Sequence, residues 1–126
     1  MEPGELLEHC LGFPGAWPDN PWDHELPVVK VGEAPQAGKI FAFLNPDTVG
    51  IKAGSDRQIA DEWLDRYPED AGVMAYIGRS GWNSLRLTGA IPDAEIIEAV
   101  EESYRLVVSA LPKKHRPTGW ETVAGE

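Results

Sequence analysis

The side chains able to do covalent chemistry are few, and none completes a catalytic set. Cys10 is the single cysteine of the 126 residues, so no intrachain disulfide can form, which fits a reducing compartment. It shares a helical stripe with Leu6, Leu7 and Leu11, and a buried thiol there behaves as a small hydrophobe. His9 precedes it, but adjacent helix positions point apart. His9, His24 and His115 are too widely spaced for a zinc pattern. Gly78-Arg79-Ser80 lacks the following x-Gly of a nucleophile elbow, and neither a P-loop nor a dinucleotide fingerprint is present. The expectation is a non-enzymatic domain with no catalytic residue, no metal centre and no cofactor.

What remains is the chemistry of recognition, and two groups of residues offer it. Strand alternation puts Asn83, Leu85 and Leu87 on one face and Trp82, Ser84, Arg86 and Thr88 on the other. By the same parity Lys30 and Lys52 point away from Val29, Val31, Val49 and Ile51, and Tyr76 and Phe41 join them. Lys30, Lys52, Trp82, Arg86 and Tyr76 then form a candidate platform for stacking bases and neutralising phosphates. The plainer alternative is that the aromatics are core and the bases are solvated charges. The second group is Trp17-Pro18 with Pro21-Trp22. Its two indoles either wall a small-ligand pocket or anchor a partner, or else form a lid over the core. Lys113-Lys114-His115-Arg116 is the one dense basic run, readable as a phosphate contact or as the cationic end of a helix.

Charge bears on the choice of partner. The net charge is −10, which repels nucleic acid and anionic membranes unless basic residues gather on one surface. The acidity is uneven: residues 1–70 hold 14 acids and five bases, and residues 71–126 hold seven acids and six bases. Between Ala71 and Pro92 there are two arginines and no acid. No apolar run reaches the ~18 residues of a membrane span, and the acidic start lacks a signal-peptide n-region. A cytoplasmic monomer with no membrane contact is expected.

The elements that position these residues can be read from periodicity and punctuation. A first helix spans about Pro3 to Leu11, ended by Gly12 and Pro14-Gly15. An irregular strand is expected within Trp17–Trp22. Short strands come next at Val28–Val31, Lys39–Leu44 and Thr48–Lys52, with a turn-rich stretch from Gly32 to Gly38, and they suit an antiparallel meander. A second helix opens on a Ser55–Gln58 capping box, buries Ile59, Trp63, Leu64 and Tyr67, and stops at Pro68. Strands resume at Val73–Ile77 and Trp82–Thr88. A third helix, with Asp93 as N-cap, carries Ile96, Ile97, Val100, Tyr104, Val107, Val108 and Leu111 as one stripe. The fold class is α+β, an antiparallel sheet with helices packed on one face. One domain covers residues 1–116, and 117–126 read as a flexible C-terminal tail.

Several segments resemble the MmcQ/YjbR family in the family's order. They are Cys10-Leu11-Gly12-Phe13-Pro14-Gly15, Val29-Lys30-Val31, Lys39 to Leu44, Ile51-Lys52, Gly81-Trp82-Asn83-Ser84, and Ser103 to Val108 running on to Leu111-Pro112-Lys113-Lys114. The resemblance implies a fold similar to frataxin-type (CyaY-like) proteins and to a "double wing" DNA-binding domain of a phage transcription factor. It implies DNA as a partner, through the open sheet face. Frataxin-like folds also suggest a weak hard-cation site, for which Glu2, Glu5, Glu8, Asp19, Asp23 and Glu25 are the acids at hand; a solvated acidic face is the other reading. The alternative function is sequestration of a small planar ligand or a protein partner, which the net charge of −10 favours.

Overall fold

The computed structural model describes residues 1–33 and 38–123. Its elements run α1 (Pro3–Leu11), β1 (Ala16–Asp19), β2 (Val28–Val31), β3 (Lys39–Leu44), β4 (Thr48–Lys52), α2 (Arg57–Arg66), β5 (Ala71–Val73), β6 (Trp82–Arg86) and α3 (Asp93–Ser109). Six antiparallel strands form one sheet in the order β1-β2-β3-β4-β6-β5. β2, β3 and β4 make the expected meander, and β1 extends it. The last pair adds as a unit, with β6 against β4, and β5 is left as a three-residue edge, short enough to be a poor template for another strand.

The three helices cover one face. Leu6 and Cys10 of α1 and Val100, Tyr104 and Val108 of α3 are wholly buried against Val29, Val31, Val49, Ile51 and Leu85. At the centre Phe41, Phe13 and Tyr104 pack with centroids 5.0–5.8 Å apart, in the edge-on and offset arrangements aromatic rings prefer. Burial, with the Glu121 carboxylate adding to it, pushes the Tyr104 phenol up to about 12. The neutral hydroxyl donates to Pro14 O at 2.6 Å, so α3 is tied to the end of α1.

Helix α2 is held by polar groups. Asn83 is wholly buried, and its amide donates to Ala60 O at 2.9 Å. Arg57 donates to the Asn83 side-chain oxygen, to Gly78 O at 2.7 Å and to Trp82 O at 3.1 Å, and pairs with Asp61 at 2.7 Å. One guanidinium thus ties the helix to β6 and to the 3₁₀ turn at Gly78–Ser80.

Five expectations are corrected. The residue at the α3 N-cap is Pro92, and Asp93 is the first residue of the helix. The α2 cap is Asp56, whose Oδ1 accepts from Ile59 N at 3.0 Å, so the Ser55–Gln58 box does not form. Ile59 is exposed, and Ala60 takes the buried position. The strand expected at Val73–Ile77 ends at Val73, because the chain turns over the sheet: Met74 lies against Gly50, where a Cβ would come within 2.6 Å of its sulfur. The tail expected from 117 onward is packed through 123. Trp120 and Val123 rest on the core, and Arg116 lies 5.7 Å from the Trp120 ring. These two side chains bury too much apolar area to stay in water. Residues 124–126, like 34–37 of the Gly32–Gly38 loop, lie outside the described residues.

The sheet breaks between β3 and β4. The β3–β4 ladder runs from Leu44↔Val49 to Ala42↔Ile51 and stops before Phe41 and Lys52. Ser103 of α3 stands in the gap: its hydroxyl donates to Phe41 O at 2.6 Å and accepts from Lys52 N at 2.9 Å. Removing the hydroxyl leaves two buried backbone groups without partners. Ser103→Ala is expected to cost about 1–3 kcal/mol in urea denaturation; a loss below ~0.5 kcal/mol would show that the strands close up without it.

Candidate functional site

The strands part at Ser103, and the parting opens a cleft on the sheet face away from the helices. Its volume is 470 Å³, and its floor is the stretch of α3 beyond Ser103, namely Leu106, Val107, Ala110 and Leu111. These lie at helical spacings from Ser103, so the stripe that enters the core also continues under the gap. One wall is Lys30 with Gly38, Lys39 and Ile40; the other is Lys52, Ile77 and Trp82, with Phe43 between them. The Phe43 and Trp82 rings meet edge to face, 5.6 Å apart at 78°.

Electrostatics set this cleft apart from the rest of the chain. Among the described residues three lysines line it and no carboxylate does, in a chain with 21 acids and 11 bases. Lys30 Nζ bonds Asp19 Oδ2 at 2.7 Å and sits 5.4 Å from the Trp17 ring centroid. That hydrogen bond holds the Asp19 carboxyl below its ordinary range. Lys52 Nζ donates to Ser80 O at 3.0 Å, a neutral partner that leaves its charge unbalanced. Lys39 is exposed at the rim with no ion pair among the described residues. A second concavity, of 550 Å³, has the opposite character. It lies between α2 and α3 and is lined by Trp63, Glu98, Glu101, Glu102 and Arg105. Among the described residues no group of three or more His, Cys, Asp or Glu converges to hold a metal, and no helix is long and apolar enough to cross a membrane.

The sequence pattern of YjbR matches residues 11–106. The chain belongs to the YjbR family. It is 27% identical to "Uncharacterized protein YjbR" of Escherichia coli K12 over 120 residues, covering 92% of this chain and 95% of the relative. The same figures hold for the protein of that description in Escherichia coli O157:H7. The fold is similar to the crystal structure of Deinococcus radiodurans protein DR2400, described as a DUF419 domain. The TM-score is 0.80 at 21% identity, and the match covers 98% of this chain and 90% of that one. The YjbR match takes in most of the cleft, from Lys30 to Leu106, and leaves Val107, Ala110 and Leu111 beyond it.

The cleft of this YjbR domain gathers some of the expected residues and not others. Lys30, Lys52 and Trp82 line it together. Arg86 does not, because it lies opposite Thr48 at the other end of the β4–β6 ladder, where it pairs with Asp70 at 3.4 Å. Phe41 is core. The β2–β3 register shifts between Val29 and Lys30, so Phe41 is the extra residue of a bulge and both it and Ala42 face the helices. Tyr76 lies in the turn after β5, fully exposed, and only its neighbour Ile77 reaches the cleft. Among the described residues Trp17 and Trp22 line no shared pocket. Trp17 packs beneath Gly38 and donates to Gly32 O at 2.8 Å, while Trp22 is exposed 5.9 Å from His24. In the basic run, Arg116 caps α3 through Leu111 O and Ser109 O, and His115 meets Glu33 at 2.8 Å.

Lys39, Ile40, Phe43, Ile77 and the α3 floor were not singled out from the sequence. Lys39 and Ile40 had a signal: they begin a strand whose apolar residues do not alternate, the mark of a bulge or of burial on both faces. Cys10 is wholly buried in the core, and burial pushes its thiol up to about 12. A disulfide reagent at pH 8 is expected to react with the native chain at least ~100-fold more slowly than with the urea-unfolded chain. Equal rates would mean that Cys10 is accessible.

Proposed function

We propose that this YjbR domain is a non-enzymatic binding module, and that its ligand is a small molecule with an apolar body and a negatively charged group, held in the open-face cleft. The observation that carries the reading is the lining: among the described residues, apolar floor and walls with three lysines and no carboxylate, in a chain of net charge −10. A volume of 470 Å³ falls in the range of small-molecule sites, and a few placed polar groups in an apolar concavity are their usual composition. The apolar body would lie on Leu106, Ala110, Ile40 and Trp82. Lys39 and Lys52 would hold the anion by charge-assisted hydrogen bonds. Lys30, neutralised by Asp19, would orient rather than attract.

A nucleic-acid strand would use the same lysines and Trp82. Two features favour the small ligand. The Trp82 ring is packed edge to face against Phe43 rather than laid open for stacking, and Lys30 is already neutralised by Asp19. Acidic surroundings would also oppose a long polyanion more than one small anion.

The test is a titration with 8-anilinonaphthalene-1-sulfonate, an apolar ring system bearing one anionic group. Saturable 1:1 binding is expected, with energy transfer from tryptophan. Lys39→Glu with Lys52→Glu should weaken it at least about tenfold, roughly 1.4 kcal/mol or more. An unchanged affinity in that double variant contradicts the reading. Salt-sensitive binding of a single-stranded oligonucleotide at low ionic strength, with no sulfonate binding, supports the nucleic-acid reading instead.

A further inference from the structure

The turn after β5 holds a fully exposed aromatic on a strained backbone. Tyr76 has φ +67°, a conformation unfavourable for a bulky side chain. Ile77 N–H donates to Ala75 O at 2.7 Å, which closes a three-residue turn on Tyr76 of the strained γ type. Such strain persists where the surroundings impose it, and it collects at functional sites. Here the flanks impose it. Met74 is pinned against Gly50 and donates to Trp82 O at 3.2 Å, while Ile77 dips into the cleft and Gly78 is pressed against Val73 and held by Arg57. The tyrosine ring gains nothing in return, since it is fully exposed.

We propose that Tyr76 is a ligand-contacting residue of the cleft. The turn sets Tyr76 one residue from Ile77, which lines the cleft, and the free ring closes against the apolar body of the bound anion. The inference rests on the small-ligand reading of the cleft and adds to it a determinant outside the lining. It explains why a large aromatic stands in water on a backbone that would suit glycine or asparagine: the contact is made with the ligand and not with the protein.

The experiment compares four full-length chains, the unsubstituted protein, Tyr76→Gly, Tyr76→Asn and Tyr76→Phe, by urea denaturation and by 8-anilinonaphthalene-1-sulfonate titration. Glycine and asparagine tolerate positive φ, so both should leave the urea midpoint unchanged or raise it. Both should weaken sulfonate binding at least ~5-fold, because the ring is lost. Tyr76→Phe keeps the ring and should bind as the unsubstituted chain does. Unsubstituted affinity in Tyr76→Gly and Tyr76→Asn overturns the inference and leaves the cleft reading standing. A lowered urea midpoint in both variants also overturns it, since the ring would then support the fold. Failure of the unsubstituted chain to bind the sulfonate removes the cleft reading and this inference together.

Discussion

The Ser103 hydroxyl, set between two strands that would otherwise pair, is the contact on which the site depends. A hydroxyl can donate and accept at once. It therefore satisfies Phe41 O and Lys52 N together while keeping their strands apart. A buried backbone pair left open without such a bridge would cost more than a sheet edge normally tolerates. With the bridge, the sheet can be open at one end, and α3 can present its stripe to both sides. The stripe faces the core through Ile96, Val100, Tyr104 and Val108, while Leu106, Ala110 and Leu111 of its last turns form the floor of the cleft.

The walls are fixed by neighbouring contacts. The β2–β3 bulge sends Phe41 inward and leaves Ile40 and Phe43 on the open face. On the other side Arg57 holds both the Gly78 carbonyl and the Trp82 carbonyl, so α2 sets the position of a wall it does not itself form. The charges show the same division. Carboxylates line the concavity between α2 and α3, and lysines line the cleft. An anion and a cation would each find only one of the two favourable.

Much of this layout was legible in the sequence. Alternation in β2, β4 and β6 assigned Lys30, Lys52 and Trp82 to the open face, because each of those strands keeps period two. Parity failed at Phe41, since a bulge adds one residue and reverses the facing of the strand beyond it. It failed at Tyr76, since the apolar run Val73–Ile77 reads as a strand while packing of Met74 on Gly50 bends it into a turn. Arg86 was on the predicted face but at the far end of the ladder, and parity says nothing about distance along a strand. The α3 floor was hidden for a different reason. Leu106 and Ala110 belong to an ordinary amphipathic helix, and only the opening of the sheet above them makes them a surface.

The most direct measurement of the central claim is an amide ¹H–¹⁵N spectrum of the full chain recorded during addition of an amphipathic sulfonate. Shifts are expected at Lys39, Ile40, Lys52, Trp82 and Ala110, residues of β3, β4, β6 and α3 that meet at the parting of the sheet. Shifts confined to Trp63, Glu98 and Glu102, or spread over the surface without a centre, would contradict it.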